Sequence, residues 1–242
     1  MRGVILAGGK GTRLFPLTKV TNKHLLPVGQ EPMIYHPVRQ MVGCGLNEIL
    51  VVTSTDHMGD VVGLLGSGAE FGCEFTYRVQ EEAGGIAHAL KLARNFAAGE
   101  SILVLLGDNI FSHSLRPFVT NFQAQAGGAR VALKSVKDPS RYGVAALDEH
   151  HILSIEEKPQ APKSDFAVVG AYCYDPSLWE ILEQVQPSER GELEITSVNN
   201  AYIERGNLHY DIIPGNWTDA GTIESWIEAN EMLLSQQNRI LD

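Results

Sequence analysis

Gly8-Gly9-Lys10-Gly11-Thr12-Arg13 follows directly on the apolar run Val4-Ile5-Leu6-Ala7. Glycines at these positions let a backbone turn tightly and bring its N–H groups against phosphate oxygens, where side chains would block the approach. With Lys10 and Arg13 adding positive charge, Gly8, Gly9, Gly11, Thr12 and Arg13 read as a cradle for a polyphosphate. The segment is not a P-loop, because Gly-Lys-Ser/Thr is missing at the required spacing. It also fails the dinucleotide fingerprint, because Leu14 stands where the third glycine belongs. A dinucleotide-dependent dehydrogenase is therefore disfavoured. Further along, Lys23 precedes Leu25-Leu26-Pro27, an apolar anchor suited to holding its backbone fixed.

Two carboxylates complete the chemistry-bearing set. Asp108 follows the apolar run Ile102 to Leu106, and in open α/β sheets ligands gather at the carboxyl ends of strands. A carboxylate there suits Mg2+, which prefers one or two carboxylates plus phosphate oxygens. Its alternative role is a turn residue in Gly107-Asp108-Asn109. Asp219, in Trp217-Thr218-Asp219-Ala220-Gly221-Thr222, is the second candidate ligand; Thr222 is better placed to cap a helix starting at Ile223. These residues suit in-line transfer at phosphorus, with cations neutralising the developing charge. No Ser/His/Asp triad is evident. None of the 8 histidines shows metal-binding spacing, and the His150-His151 pair reads as a surface turn, so no histidine is given a catalytic role.

The chain resembles the nucleoside-triphosphate sugar-1-phosphate transferases, whose opening motifs are a Gly-Gly-x-Gly-Thr-Arg loop and a Lys-x-Leu-Leu-Pro segment. The match continues in order through Leu106-Gly107-Asp108-Asn109, Arg141-Tyr142-Gly143, Glu156-Glu157-Lys158-Pro159 and Arg190-Gly191-Glu192-Leu193-Glu194-Ile195-Thr196. The wording is similar to the thymidylyl-transferring branch, in a short form without a C-terminal extension. The resemblance implies a Rossmann-like, GT-A-like nucleotidyltransferase fold. It also implies Mg2+ on Asp108 and Asp219, dTTP (or UTP) and a hexose 1-phosphate as substrates, and a homo-oligomer. It assigns Leu6, Gln80 and Gly85 to the base, Arg13 and Lys23 to the triphosphate, and Lys158 to the sugar phosphate. Asn109, Gly143, Glu157, Val168 and Gly170 fall to the sugar. A transferase for another nucleotide or sugar, and a regulatory subunit that binds nucleotide sugars without turnover, are the alternatives. Ser197 departs from an Asp found in many relatives, and Thr218 and Ala220 alter the neighbours of Asp219.

The elements that must position these residues alternate. Strands are predicted at Val4 to Ala7, Ile49 to Thr53, Phe75 to Val79, Ile102 to Leu106 and Val131 to Ser135. Helices are predicted at Met33 to Val42, His57 to Leu65, Ile86 to Phe96 and Leu115 to Ala126. This is a doubly wound α/β pattern with a largely parallel (mixed) sheet. Beyond Tyr142, strands at Val144 to Leu147, Ile152 to Glu156 and Ala167 to Tyr174 precede helices Leu178 to Val185 and Glu192 to Glu204, with a last helix from Ile223. We expect one domain over residues 1–242, in which 1–135 bind mainly nucleotide and 136–242 supply mainly the sugar side and the C-terminal helix.

Composition sets the outer limits. A chain of 242 residues can bury roughly 70–75% of its unfolded surface, enough for a large core. The net charge of −10 disfavours a nucleic-acid partner, whereas a small polyphosphate can still be held by a few aimed cations. No apolar stretch approaches the ~20 residues that span a bilayer, and no signal peptide is evident, so a cytoplasmic protein with no membrane partner is expected. Cys44, Cys73 and Cys173 suggest neither disulfides nor zinc and are expected to be small buried residues.

Overall fold

The Val4 to Ala7 run lies in a strand, Arg2–Ala7, buried from Gly3 onward as a strand covered on both faces must be. It pairs parallel with Glu48–Ser54, which pairs parallel with Glu74–Gln80, in a register that sets Ala7 against Thr53 and Ser54 against Gln80. The carboxyl ends of all three strands thus come out on one side, as the predicted βαβ order requires. The computed structural model describes the backbone of residues 1–149 and 151–241 and the side chains of 1–149 and 151–235, so His150 of the predicted surface turn lies outside the described residues.

The chain forms two compact units. One comprises Gly3–Glu82, Leu105–Arg116 and Pro214–Asp242; the other comprises Met1–Arg2, Ala83–Val104 and Pro117–Ile213. In the first, helices Tyr35–Gly43 and Met58–Leu65 link the parallel strands. The former starts later than the predicted Met33, at Tyr35, while Met33 N–H donates to Leu26 O and Ile34 N–H to His24 O. These bonds tie the helix entry to the Lys23 segment. Leu14, Leu26, Val28 and Met33 pack in one cluster with Ile110, Ala220, Ala229 and Met232, which fixes the glycine loop and the Leu-Leu-Pro anchor to the last helix, Ile223–Leu241. Each such aliphatic side chain contributes about 1.5–3 kcal/mol on burial. Thr222 caps that helix as predicted: Ser225 N–H donates to Thr222 Oγ1 (3.2 Å), and Thr222 N–H donates to Ser225 Oγ (3.0 Å).

In the second unit the sheet is mixed. Ala129–Ser135 pairs antiparallel with Phe166–Tyr174 and parallel with Leu208–Ile212, a strand that the sequence pattern does not predict. Phe166–Tyr174 and Ile152–Glu157 both pair antiparallel with Gly143–Leu147. The α/β class therefore holds with a mixed sheet. The predicted Ile86 to Phe96 helix divides into Ile86–Lys91 and Arg94–Ala97, because Leu92 and Ala93 turn back onto the carbonyls of Ala89 and Leu90. The Glu192 to Glu204 helix begins only at Ile195, since Leu193 uses both backbone groups on Gly84 O and Ala87 N–H. Cys73 and Cys173 are buried as expected; Cys44 is half-buried, because it caps the Tyr35–Gly43 helix. No described helix is long and apolar enough to cross a membrane.

Candidate active site

The glycine loop leaves the strand at Gly8 and turns at Gly11, whose φ of 65° is left-handed, into a short 3-10 turn, Thr12–Leu14. Thr18 Oγ1 donates to Gly11 O (2.8 Å), and Leu14 N–H to the same carbonyl (2.9 Å). A Cβ on Gly9 would lie 3.1 Å from Lys23 Cε, and one on Gly11 2.9 Å from Lys23 Cβ, so Lys23 runs directly beneath the loop. Thr12 and Arg13 are exposed on it. Leu6 is nearly buried, and Gln80, at the end of its strand, lies against Gly8: a Cβ there would meet Gln80 Oε1 at 2.9 Å.

Lys23 Nζ donates to Asp108 Oδ2 at 2.5 Å, and both side chains are largely buried. Burial alone would raise the Asp108 carboxyl. The charge of Lys23, the neighbouring His24 and hydrogen bonds from Lys23 and Asn109 overcome it and hold the group well below the usual carboxylate range. Asn109 Nδ2 donates to Asp108 Oδ1 (2.9 Å), and Trp217 Nε1 donates to Asn109 Oδ1 (2.8 Å). Two three-residue strands, Asn109–Phe111 and Trp217–Asp219, pair antiparallel with Asp219 opposite Asn109, while Ala220 N–H donates to Asp108 O. This short ladder joins two carboxylates that lie far apart in sequence. A Cβ on Gly221 would lie 3.3 Å from Arg13 Nη2, 3.4 Å from Asp219 Oδ2 and 3.6 Å from Asp108 Oδ2. Arg13, Asp108 and Asp219 therefore converge on one point, and a side chain at Gly221 would fill it.

This donor set fits a magnesium ion. It offers two carboxylates beside an arginine of the glycine loop, and this ion prefers one or two carboxylates with other oxygen ligands. No group of three or more His, Cys, Asp or Glu side chains that could hold a metal occurs among the described residues.

In the other unit, Glu157 ends the Ile152–Glu157 strand and Lys158 follows it. Glu157 Oε2 accepts from Thr196 Oγ1 (2.5 Å), while its Oε1 lies 3.6 Å from Arg190 Nη2 and 3.7 Å from Lys158 Nζ. Lys158 has φ 45°, unusual for a residue with a side chain, and its N–H donates to Tyr142 O (2.9 Å). That bond ties the Arg141-Tyr142-Gly143 segment to the lysine motif. A Cβ on Gly143 would lie 3.1 Å from Thr196 Oγ1 and 3.5 Å from Glu157 Oε2. Val168 is nearly buried, and Gly170 falls where the pairing of Phe166–Tyr174 shifts register. Arg190 Nη2 is further tied to Glu194 (2.7 Å).

Gly85 belongs to this second unit, apart from Leu6 and Gln80. Its φ is 93°, and a Cβ would come within 2.5 Å of Leu193 O. Gly85→Ala is expected to cost about 3 kcal/mol through strain and this backbone clash. The melting temperature should then fall by roughly 6–12 °C; an unchanged value in a thermal scan would refute the packing account.

Arg190 and Thr196 lie inside a motif that the sequence shows, but their side chains have no role legible there, and Trp217 and His24 escape sequence reasoning as functional residues. His24 is buried. Its Nδ1 donates to Asn22 Oδ1 (2.7 Å), which also accepts from His24 N–H, and its ring packs against Gly107, where a Cβ would meet Cδ2 at 2.7 Å. Burial and the adjacent Lys23 charge push its pKa down to about 3, so it is a neutral wedge beneath the Lys23–Asp108 pair. The Asn-x-His spacing is the one signal in the sequence that points to it.

Residues 2–236 match the family model described as Nucleotidyl transferase. The chain is 43% identical over 242 residues to a glucose-1-phosphate thymidylyltransferase of Neisseria meningitidis serogroup A, covering 98% of this chain and 84% of that protein. It is 40% identical over 243 residues to the glucose-1-phosphate thymidylyltransferase of Mycobacterium tuberculosis, covering 99% and 84%. Among solved structures, a Bacillus anthracis protein described as a candidate glucose-1-phosphate thymidylyltransferase in complex with a sucrose superposes with a TM-score of 0.92 at 55% identity, covering 96% of this chain and 94% of that one. UDP-glucose pyrophosphorylase complexed with UDP-glucose superposes at 0.85 with 26% identity, covering 97% and 98%.

Proposed function

This chain belongs to the nucleotidyl transferase family and is a sugar-1-phosphate nucleotidyltransferase, and from that premise we propose that it condenses dTTP with α-D-glucose 1-phosphate to give dTDP-glucose and pyrophosphate, with Mg2+. The observation that carries the reading is the convergence of Arg13, Asp108 and Asp219 on Gly221, in the unit where Lys23 runs beneath the glycine loop. In this reading the Gly8 to Thr12 amides and Arg13 bind the β- and γ-phosphates, and Lys23 neutralises charge at the α-phosphate. Asp108 and Asp219 would hold the magnesium ion, which when bound supplies further charge neutralisation to the phosphate oxygens. Leu6, Gln80 and Gly85 take the base. Lys158 binds the phosphate of the hexose 1-phosphate, and Glu157 accepts from its hydroxyls, with Gly143, Asn109, Val168 and Gly170 as further sugar contacts. No general base is needed. A sugar phosphate has a second pKa of about 6, so its attacking oxygen is already ionised at neutral pH.

A second reading, with UTP in place of dTTP, is favoured by Gln80. An amide that donates and accepts suits the imide edge common to thymine and uracil, and a methyl group discriminates by only ~1–3 kcal/mol. Pyrophosphate release from glucose 1-phosphate with each triphosphate, with and without EDTA, tests both. We expect release with dTTP that EDTA abolishes, and weaker release with UTP. Release only with another triphosphate would reassign the substrate; release with none would leave a nucleotide-sugar-binding protein without turnover.

A further inference from the structure

The Ile152–Glu157 strand ends in Glu157, just before Lys158, and lies at the edge of its sheet, with Gly143–Leu147 as its strand partner. An edge strand leaves a row of backbone groups unpaired and is free to fray or slip. Here a side chain takes the place of the missing strand. Ile155 N–H donates to Asn200 Oδ1 (2.9 Å), and Asn200 Nδ2 donates back to Ile155 O (2.8 Å), so one amide pairs with both backbone groups of a single residue as a neighbouring strand would. Asn200 stands on the Ile195–Glu204 helix, one turn beyond Thr196, whose hydroxyl donates to Glu157 Oε2 (2.5 Å).

The two bonds match in spacing. Four helical residues advance about 6 Å, and two strand residues advance about 6.6 Å. Thr196 and Asn200 therefore meet Glu157 and Ile155 without strain in either element. We propose that Asn200 is a positioning residue: with Thr196 it makes this helix a two-point clamp that fixes the register of the edge strand and so the placement of Glu157 and Lys158. The left-handed backbone of Lys158 gives the clamp its purpose, because a residue at φ 45° holds that conformation only where the surrounding structure over-determines it. The tie from Lys158 N–H to Tyr142 O holds one side of the turn, and the Asn200 and Thr196 bonds hold the strand that enters it.

The inference rests on the reading of Glu157 and Lys158 as the hexose 1-phosphate site, and hydrogen exchange separates the two questions. In the unaltered protein the Ile155 amide should exchange slowly although no strand covers it; fast exchange there would overturn the clamp without any variant being made. Asn200→Leu should accelerate that amide. It should also raise KM for the hexose 1-phosphate roughly five- to tenfold, the loss expected for a hydrogen-bonded pair, while KM for the triphosphate stays within about twofold. Unchanged KM values, or an equal rise in both, would overturn the positioning role. If the unaltered protein turns over no hexose 1-phosphate at all, the functional reading fails, and the exchange of Ile155 alone decides whether the clamp exists.

Discussion

Asp108→Asn should lower turnover about a thousandfold, because it removes one of two carboxylates facing the glycine loop, and it should also lower the melting temperature, because the buried Lys23 ammonium loses its ion-pair partner. The asparagine keeps the shape of the side chain, can still accept from Asn109 Nδ2, and leaves the Ala220 N–H bond to the residue 108 carbonyl in place. Asp219→Asn should act in the same direction, since both Oδ2 atoms face the position of a Gly221 Cβ. Raising the magnesium concentration should partly restore either variant, as a weakened ligand set demands more ion for the same occupancy. Near-normal turnover by both variants in a pyrophosphate-release assay would remove the metal assignment.

Lys23→Met is the second large effect, expected to reduce turnover roughly a hundred- to a thousandfold through lost charge neutralisation at the α-phosphate. It carries a stability signature of its own. In the unaltered protein Asp108 is held below the usual carboxylate range, so its contribution is present above the unfolded value of about 3.9 and is lost only in stronger acid. Without Lys23 the largest remaining influence is burial, which raises the carboxyl. A raised folded pKa reverses the sign: the buried charge then destabilises at neutral pH, and acidification toward the new pKa restores stability. Urea midpoints between about pH 8 and pH 5 should accordingly rise in Lys23→Met relative to the unaltered protein. Parallel profiles would show that the pair is not coupled as the geometry requires. Adding Asp108→Asn to Lys23→Met should abolish the difference, which isolates the pair from any wider effect of methionine.

Much of the phosphate-side architecture is legible in the amino-acid sequence. Val4 to Ala7, Ile49 to Thr53 and Ile102 to Leu106 are short continuous apolar runs bounded by polar residues or glycine, the pattern of strands covered on both faces, and each lies inside an observed strand. The parallel pairing of the first two follows from the helix between them. What periodicity could not supply is the ladder of Asn109–Phe111 with Trp217–Asp219, three residues a side and too short for any alternation to register. Yet that ladder is what joins Asp108 to Asp219. The same limit hid Thr196 and Asn200: both lie on a helix that the sequence pattern does predict, but their partners, Glu157 and Ile155, are set by tertiary docking rather than by local preference. Val131 to Ser135 lies in a strand as predicted, but its partners, antiparallel Phe166–Tyr174 and parallel Leu208–Ile212, were not legible, since strand order along the chain does not determine which strands pair.

The cluster that seats the glycine loop has a consequence in time. Leu14, Leu26, Val28 and Met33 leave the ribosome early, whereas Ala220, Ala229 and Met232, which cover them, follow about two hundred residues later. At roughly 5–20 residues per second the wait is on the order of 10–40 s, during which a nascent chain already carries its phosphate loop but cannot close the core beneath it. Synthesis, rather than collapse, then sets the earliest moment at which the core beneath the glycine loop can close.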